Sequence, residues 1–200
     1  MPVCVSSINL EDLYLSAVEG VDMIEIGNYD IFYQQGIFLS KQYILNLAKE
    51  ALNLFNGLDI CVTIPYTLSL NEQIQLSCQL ESLGIQVLQT EGIKIQPVLK
   101  YNTLTELINN SLPVLSSTYA ISKSVKIPVI AASGVNCSIA SLAMLYGASG
   151  IGIGSSVINC SNSFSKCIYI AEIFNSIHSK KTISCDNIVS STENCSSLFA

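Results

Sequence analysis

The sequence predicts an α/β protein of the TIM-type (β/α)8 barrel class, with six βα units recognisable and the barrel therefore incomplete. Short apolar, β-branched runs alternate with longer amphipathic stretches, which is typical of βα units around a parallel sheet. Several runs end in polar or glycine-rich residues, as strands do at the carboxyl-terminal mouth of such a barrel. The 200 residues, 50% of them apolar and 12% charged, suffice for one domain with a large buried core.

Six strands are predicted, at residues 2–7, 22–28, 59–65, 86–92, 127–134 and 150–155. The clearest helix covers residues 44–55, where apolar side chains recur at spacings of three and four and Gly57 closes the helix. Another is expected from Leu70 or Asn71 to about Gly84. Asn136 is expected to cap a helix running to residue 146. Residues 103–124 and 164–178 also read as helical, with Pro113 marking a helix start within the former.

A closed barrel of this class has eight strands and about 250 residues, so either two βα units are missing or the sheet is open. An open sheet would leave the apolar strand at residues 2–7 as an uncovered edge, which is an aggregation hazard. We therefore expect a barrel shortened at its N-terminus rather than a complete doubly wound sheet. The barrel domain should span residues 1–178, and residues 179–200, rich in Ser, Asn and Thr, should form a poorly ordered tail.

Composition argues against several classes of partner and ligand. The net charge is −6 with nine lysines and no arginine, so nucleic acid is not an expected partner. The eight cysteines form no C-x-x-C pair and are read as small buried residues, so neither a metal nor a cofactor is predicted. No run of 18 apolar residues occurs, which favours a soluble chain over a membrane span. The first residues carry no signal or transit peptide pattern, so an organellar location would require synthesis inside the organelle.

Alternation along the strands places polar side chains inside the barrel. If Ile24, Ile26, Ile60, Val62 and Ile64 lie under the helices, their neighbours point to the barrel axis. These inward polar residues gather at strand ends, where barrel enzymes carry their active sites. Glu25 and Glu91 are the candidate acid–base groups, and Ser6, Thr63 and Gln89 the candidate substrate-orienting groups. A satisfied polar plug without catalysis is the alternative.

The last two strands end in glycine-rich loops, residues 131–136 (AASGVN) and 150–156 (GIGIGSS). Inward glycines leave the backbone bare, so a ligand can approach the main-chain N–H groups. A short helix start follows, as in the phosphate site after the seventh and eighth strands of such barrels. The predicted phosphate-binding residues are Ser133, Gly134, Gly152, Gly154, Ser155 and Ser156, with Lys94 as the lysine nearest the mouth. Alternatively, the glycines serve only close packing.

Longer stretches of the chain resemble one family. PVCVSS, GVDMIEIGNYDIFYQQG, TYAISKSVKIPVIAASGVN and GASGIGIGSSV together are similar to the plastid and cyanobacterial proteins called hypothetical chloroplast open reading frame twenty-three. The resemblance covers residues 2–178 and implies a phosphate-binding barrel with no established biochemical activity. It also implies two further βα units before the segment that matches PVCVSS. A plastid stroma location, with the protein encoded in the organelle, follows from the resemblance; in a cyanobacterium the protein would be cytoplasmic.

The leading hypothesis is a binder of a small phosphorylated metabolite at the barrel mouth, with isomerase- or lyase-type chemistry if it is an enzyme. A second hypothesis is a non-catalytic metabolite sensor or assembly protein. A third is a non-functional fragment truncated at its N-terminus. No membrane partner is expected, and a homo-oligomer is left open by the sequence.

Overall fold

The computed structural model describes residues 2–27, 29–92 and 104–178. Within them, six strands form one parallel sheet: β1 (Cys4–Ser7), β2 (Met23–Ile26), β3 (Asp59–Ile64), β4 (Val87–Thr90), β5 (Val129–Ala132) and β6 (Gly150–Gly152). The helices are α1 (Leu10–Val18), α2 (Asp30–Gln34), α3 (Lys41–Leu54), α4 (Leu70–Leu83), α5 (Leu104–Ser122), α6 (Cys137–Leu145), α7 (Ser155–Ile158) and α8 (Ser163–His178). In this part of the chain, no helix combines the length and apolar character needed to cross a bilayer.

Strand order decides between the two sheet topologies considered from the sequence. Each strand pairs in parallel with the next along the chain, from β1 through to β6, with a helix in every connection. A doubly wound sheet reverses its strand order at a switch point, whereas a (β/α) barrel does not. The described residues therefore form an incomplete (β/α) barrel, and all six predicted strands are confirmed.

The core lies between the outer face of the sheet and the helices. Ile24, Ile26, Ile60, Val62 and Ile64 are between 0% and 1% exposed, so the predicted outward set is confirmed. They pack against the buried faces of α3 and α4 in one cluster. A second cluster joins β5 to α5, α6 and α8, and Ile151 and Ile153 pack against it. Because the outer positions are filled by this core, the alternate positions must face the barrel interior.

Asn136 and Gly84 terminate helices at the predicted positions, and Ser69 caps the helix whose start was predicted at Leu70 or Asn71. Asn136 accepts hydrogen bonds from the backbone N–H groups of Ser138 and Ile139 and so caps α6. Ser69 and Glu72 form a capping box at the start of α4, which ends at Gly84 in the left-handed conformation. These caps fix where each helix begins above its strand. The predicted end of β2 at residue 28, the position of Lys94, the helix start at residue 103 and the tail at 179–200 lie outside the described residues.

The prediction for Pro113 is wrong. Pro113 lies inside the continuous helix α5 rather than at a helix start. Proline lacks the N–H that would bond to the carbonyl of Asn109, one turn earlier, and normally breaks a helix. Here the residues around it are buried, with Ser111, Val114 and Leu115 at most 6% exposed. Packing of α5 against β5, β4 and α4 therefore outweighs the local preference.

Replacing Pro113 should stabilise the protein. In Pro113→Ala, α5 regains one hydrogen bond, and we expect the free energy of unfolding to rise by about 1–2 kcal/mol after the entropy gained by the unfolded chain is subtracted. Urea denaturation followed by circular dichroism measures this. Ser116→Ala, at an exposed site on the same helix, is the matched control and should change stability by only a few tenths of a kcal/mol. Destabilisation by Pro113→Ala would contradict the continuous helix.

Candidate active site

The carboxyl ends of the strands surround a cavity of about 250 Å³. Its lining comes from five of the six strands or from the loops directly after them, and it consists of Ser6, Glu25, Asp30, Thr63, Gln89, Thr90, Glu91 and Ser133. Six of these eight residues were predicted as site residues from the sequence. This is the end of the barrel at which enzymes of this class carry their chemistry.

Three side chains on adjacent strands form a hydrogen-bonded cluster, here called the Glu25 cluster: Glu25, Thr63 and Gln89. The Thr63 hydroxyl donates to Glu25 Oε1 at 2.5 Å, and Gln89 Nε2 donates to the same oxygen at 2.7 Å. Gln89 Nε2 also lies 3.1 Å from Thr63 Oγ1. Because these bonds join β2, β3 and β4, they fix the direction of the Glu25 carboxylate inside the barrel.

Gly27 lies directly beside the Glu25 cluster. A Cβ atom at this position would overlap Glu25 Oε1 and would lie 2.8 Å from Thr63 Oγ1. Only glycine therefore allows the backbone after β2 to pass the carboxylate. Gly27 thus lies on the inner face of the barrel with Glu25 and Thr63.

Glu91 is the second carboxyl group of the cavity and is only 6% exposed. It accepts a hydrogen bond from the Tyr33 hydroxyl at 2.8 Å and another from the Tyr66 backbone N–H at 3.3 Å. Burial raises the pKa of Glu91 to about 7, while the bonds from Tyr33 and Tyr66 act in the opposite direction and the nearby Glu25 raises it further. Glu91 therefore exchanges a proton close to neutral pH, as a general acid or base requires.

An aromatic group from the loops after β2 and β3 stands beside Glu91. Tyr33 packs edge-on against Tyr66, with ring centroids 5.1 Å apart, and stacks on Phe38 at 5.9 Å. Tyr29 is fully buried and donates its hydroxyl to the carbonyl of Thr63 at 2.8 Å, which anchors the loop to β3. Tyr33, whose hydroxyl donates to Glu91, is thus packed against two neighbouring rings.

Three site residues were not predicted: Asp30, Tyr33 and Thr90. Thr90 sits on the outer side of β4, where its hydroxyl pairs with that of Thr118 at 3.0 Å. Asp30 and Tyr33 belong to the short helix α2, which has no apolar periodicity that would reveal it in the sequence. The many polar and aromatic residues in the segment after β2 were the sequence signal that could have identified Asp30 and Tyr33.

Ser6 differs from the other polar side chains of the cavity. Its Oγ is the one buried side-chain polar atom, among the described residues, without a hydrogen-bond partner in the protein. Ser6 pairs with Glu25 in the sheet register, so both point into the barrel from neighbouring strands. A buried hydroxyl without a partner costs folding free energy and is a reason to look for a ligand.

Backbone conformation at the end of β5 is unusual. Ser133 has φ +63°, the only positive φ at a non-glycine residue in the described part of the chain, and Gly134 follows with φ +78°. Such conformations cost about 1–3 kcal/mol for a side chain other than glycine and cluster at ligand sites. A Cβ on Gly92 would overlap the carbonyl oxygen of Ser133, so the ends of β4 and β5 are in close contact.

The start of α7 differs from the start of α6. The N-cap of α7 is Gly154, which offers no side-chain cap, whereas Asn136 caps α6. A Cβ on Gly154 would meet nothing within 4 Å, so the space in front of α7 is open. The first N–H groups of a helix have no partner within it. Those of Ser155 and Ser156 thus lie at an uncapped helix start, and the Ser156 side chain bonds to Tyr169.

Of the glycine residues of β6, Gly152 lies beside the side chains that line the cavity. A Cβ on Gly152 would clash with Ala132 and lie 3.4 Å from Gln89 Oε1, so Gly152 faces inward, as predicted, next to the Glu25 cluster. Of the predicted phosphate-binding residues, only Ser133 lines the cavity itself. Gly134, Gly154 and Ser155 are exposed and lie in the segments that follow β5 and β6. In the described residues, no three His, Cys, Asp or Glu side chains come together as a metal site would require.

Fold and site together define an incomplete (β/α) barrel with a polar mouth. Residues 1–183 match the family described as "Protein of unknown function (DUF561)". The chain is 46% identical to the uncharacterized protein ycf23 of Antithamnion sp., in a match covering 90% of this chain and 68% of that protein. The ycf23 proteins of Porphyra purpurea and Cyanophora paradoxa are 39% and 42% identical, over 92% and 78% of this chain and 69% and 64% of theirs. The chain belongs to the ycf23 (DUF561) family and spans about two thirds of the length of these relatives.

Solved structures share the fold. Phosphonopyruvate hydrolase in complex with oxalate and Mg++ superposes with a TM-score of 0.62 at 14% identity, over 90% of this chain and 65% of that chain. The KD(P)GA of T. tenax superposes with a TM-score of 0.57 at 14% identity, over 86% and 60%. The chain thus spans about three fifths of such structures. At these identities the likeness concerns the fold alone, and it agrees with the barrel class.

The raised pKa of Glu91 predicts how stability changes with pH. In the folded protein the pKa is about 7, above its ordinary value of 4.5, so the folded state holds the proton more tightly. The resulting stability is complete below about pH 4.5 and is lost as the pH rises through 7. Glu91→Gln removes this dependence. Relative to wild type, the variant should gain up to about 3 kcal/mol between pH 5 and pH 8, from 1.36 kcal/mol per pKa unit.

Glu50→Gln, on an exposed position of α3, is the control for this comparison and should follow the wild-type pH dependence. Chemical denaturation at several pH values measures both variants. An unchanged stability difference between Glu91→Gln and wild type across this pH range would contradict a buried Glu91 that titrates near neutrality.

Proposed function

We propose that this protein binds a small phosphorylated metabolite at the barrel mouth and moves a proton on it, in a reaction of the isomerase or lyase type. The observation that carries this proposal is one cavity that combines an acid–base group with potential donors to an anion. The cavity contains a buried carboxyl group whose pKa is about 7, and it also contains Ser133 at the end of β5. The uncapped start of α7 follows β6, the strand paired with β5.

The phosphate would bind at the rim formed by the ends of β5 and β6. Main-chain N–H groups of Ser155 and Ser156 at the start of α7, together with the Ser133 hydroxyl, offer donors to an anion. The chain has no arginine, so backbone and hydroxyl groups would supply most of this binding. The strained conformation of Ser133 supports a ligand role, since strain of this kind persists where function requires it.

The two carboxyl groups suit different tasks. Glu91, whose pKa is about 7, can donate or accept a proton at physiological pH. Glu25 is held by Thr63 and Gln89, so its carboxylate has a fixed direction into the cavity. Two carboxyl groups in different environments are how many enzymes separate acid from base. Ser6, Thr63 and Gln89 would orient the substrate between them.

A second candidate function is a non-catalytic sensor of the same metabolite. The Glu25 cluster favours it, because one oxygen of Glu25 already accepts two hydrogen bonds from the protein. Such a satisfied cluster also suits a structural plug beneath a ligand site. The two candidates differ in whether bound ligand exchanges a proton with solvent.

The proposed location is the plastid stroma, with synthesis inside the organelle. The relatives that support it, from Antithamnion sp., Porphyra purpurea and Cyanophora paradoxa, are algal proteins. Their shared name, ycf23, is that of a chloroplast open reading frame.

Binding of inorganic phosphate tests the proposed rim. Gly154→Asp places a carboxylate at the N-cap of α7, where aspartate is a preferred cap, so it should keep or raise the melting temperature while it repels an anion. We expect calorimetric phosphate binding to fall by about tenfold or more. Gly154→Ala adds a Cβ in open space without charge and is the matched control, which should bind nearly as wild type. Equal binding by wild type and Gly154→Asp would refute the site.

Hydrogen exchange from solvent tests the proposed proton transfer. In D₂O, with a panel of phosphorylated aldoses and ketoses, we expect deuterium to enter one carbon position of a substrate in the presence of wild type. Glu91→Gln should slow this exchange by about 10²-fold or more, the usual contribution of a general acid or base. Glu50→Gln should leave it unchanged. Phosphate binding without exchange on any member of the panel would favour the sensor.

A further inference from the structure

We infer that the metabolite taken by this cavity is a hydroxylated phosphate ester without a carboxylate group. The inference deepens the proposed function and rests on it, because it concerns the part of the ligand that lies beyond the phosphate. It follows from the charges and the hydrogen-bonding groups that line the cavity.

The cavity lining is acidic. Of its eight residues, Glu25, Asp30 and Glu91 are carboxylic acids, and none is a lysine or histidine. Lys94 lies outside the described residues, and the chain has no arginine to add. A ligand carboxylate placed among these groups would be repelled and would find no opposite charge to pair with among the described lining residues. Hydroxyl groups, by contrast, can donate to carboxylate oxygens.

Geometry divides the ligand into two ends. The phosphate end belongs to the rim at Ser133 and the start of α7, on β5 and β6. The acidic residues belong to β2, to β4 and to the loops that follow them. One cavity of about 250 Å³ includes both Ser133 and Glu25, so one small molecule can span them.

Ser6 supplies the second, independent observation. Its hydroxyl has no partner within the described protein, although it is buried and lines the cavity beside Glu25. A hydroxyl group both donates and accepts, so a ligand hydroxyl can pair with Ser6 and donate onward to a carboxylate. The lining that repels a carboxylate thus has a matching site for a hydroxyl.

Matched probes test this inference by calorimetry at about pH 8. Glycerol-3-phosphate and 3-phosphoglycerate share a skeleton and differ by a CH₂OH group in place of a carboxylate; glucitol-6-phosphate and 6-phosphogluconate form a second pair of this kind. We expect the carboxylate-free member of a pair to bind about tenfold or more tightly. In Glu25→Gln and Glu91→Gln this preference should shrink by about threefold or more, whereas Glu50→Gln should keep it.

Ser6→Ala separates ligand recognition from folding. The variant loses no hydrogen bond within the described protein, so its melting temperature should not fall. The affinity for the carboxylate-free probe should fall about fivefold, the usual effect of one neutral hydrogen bond, while inorganic phosphate binds as before. A lower melting temperature with unchanged affinity would instead assign Ser6 a purely structural role and refute its role in ligand recognition.

The outcomes distinguish this inference from the proposed function. If inorganic phosphate and all four probes fail to bind, both are refuted. A second outcome separates the two. Wild type binds phosphate and Gly154→Asp does not, but the carboxylate-bearing probes bind as tightly as, or more tightly than, the carboxylate-free probes. The proposed phosphate site then stands and the inference fails.

Discussion

Successive side chains of a parallel strand point to opposite faces, and on β2 and β3 the outer face is buried by the packing of helices. Ile24, Ile60 and Val62 lie fully buried under α3 and α4 and cannot be replaced by polar groups without exposing the core. The alternate positions, Ser6, Glu25, Thr63 and Gln89, are thereby directed into the barrel. The polar side chains therefore lie inside the barrel because the outer positions of the strands are packed against helices.

Burial inside the barrel then changes the acid–base properties of a polar group. Glu91 is only 6% exposed, and burial raises its pKa to about 7, a pH at which an exposed glutamate would already be ionised. The Tyr33 hydroxyl limits the rise by donating to Glu91. After β6, Gly154 leaves the start of α7 uncapped. The buried carboxyl group and the uncapped helix start thus follow different strands, β4 and β6.

The sequence predicted these strands well because alternation and glycine positions are local signals. Strand number, outward residues and the cap at Asn136 required only neighbouring residues, and the inward set followed from them. Pro113 was misplaced because tertiary packing of α5 overrides a local helix breaker. Tyr33 and Asp30 were not predicted: the segment after β2 is polar and aromatic, but their positions depend on a loop conformation held by the bond from Tyr29 to Thr63, 34 residues away. Likewise, the bond from Gln89 to Glu25 spans 64 residues and depends on sheet register.

A crystal structure of the protein grown with glycerol-3-phosphate tests the central claim most directly, namely that one cavity holds a phosphate at the ends of β5 and β6 and a hydroxylated group near the carboxylates. The account predicts phosphate oxygens within hydrogen-bonding distance of the main-chain N–H groups of Ser155 and Ser156, with a ligand hydroxyl at Ser6 Oγ. A ligand bound elsewhere, or with its phosphate beside Glu25 and Glu91, would contradict it.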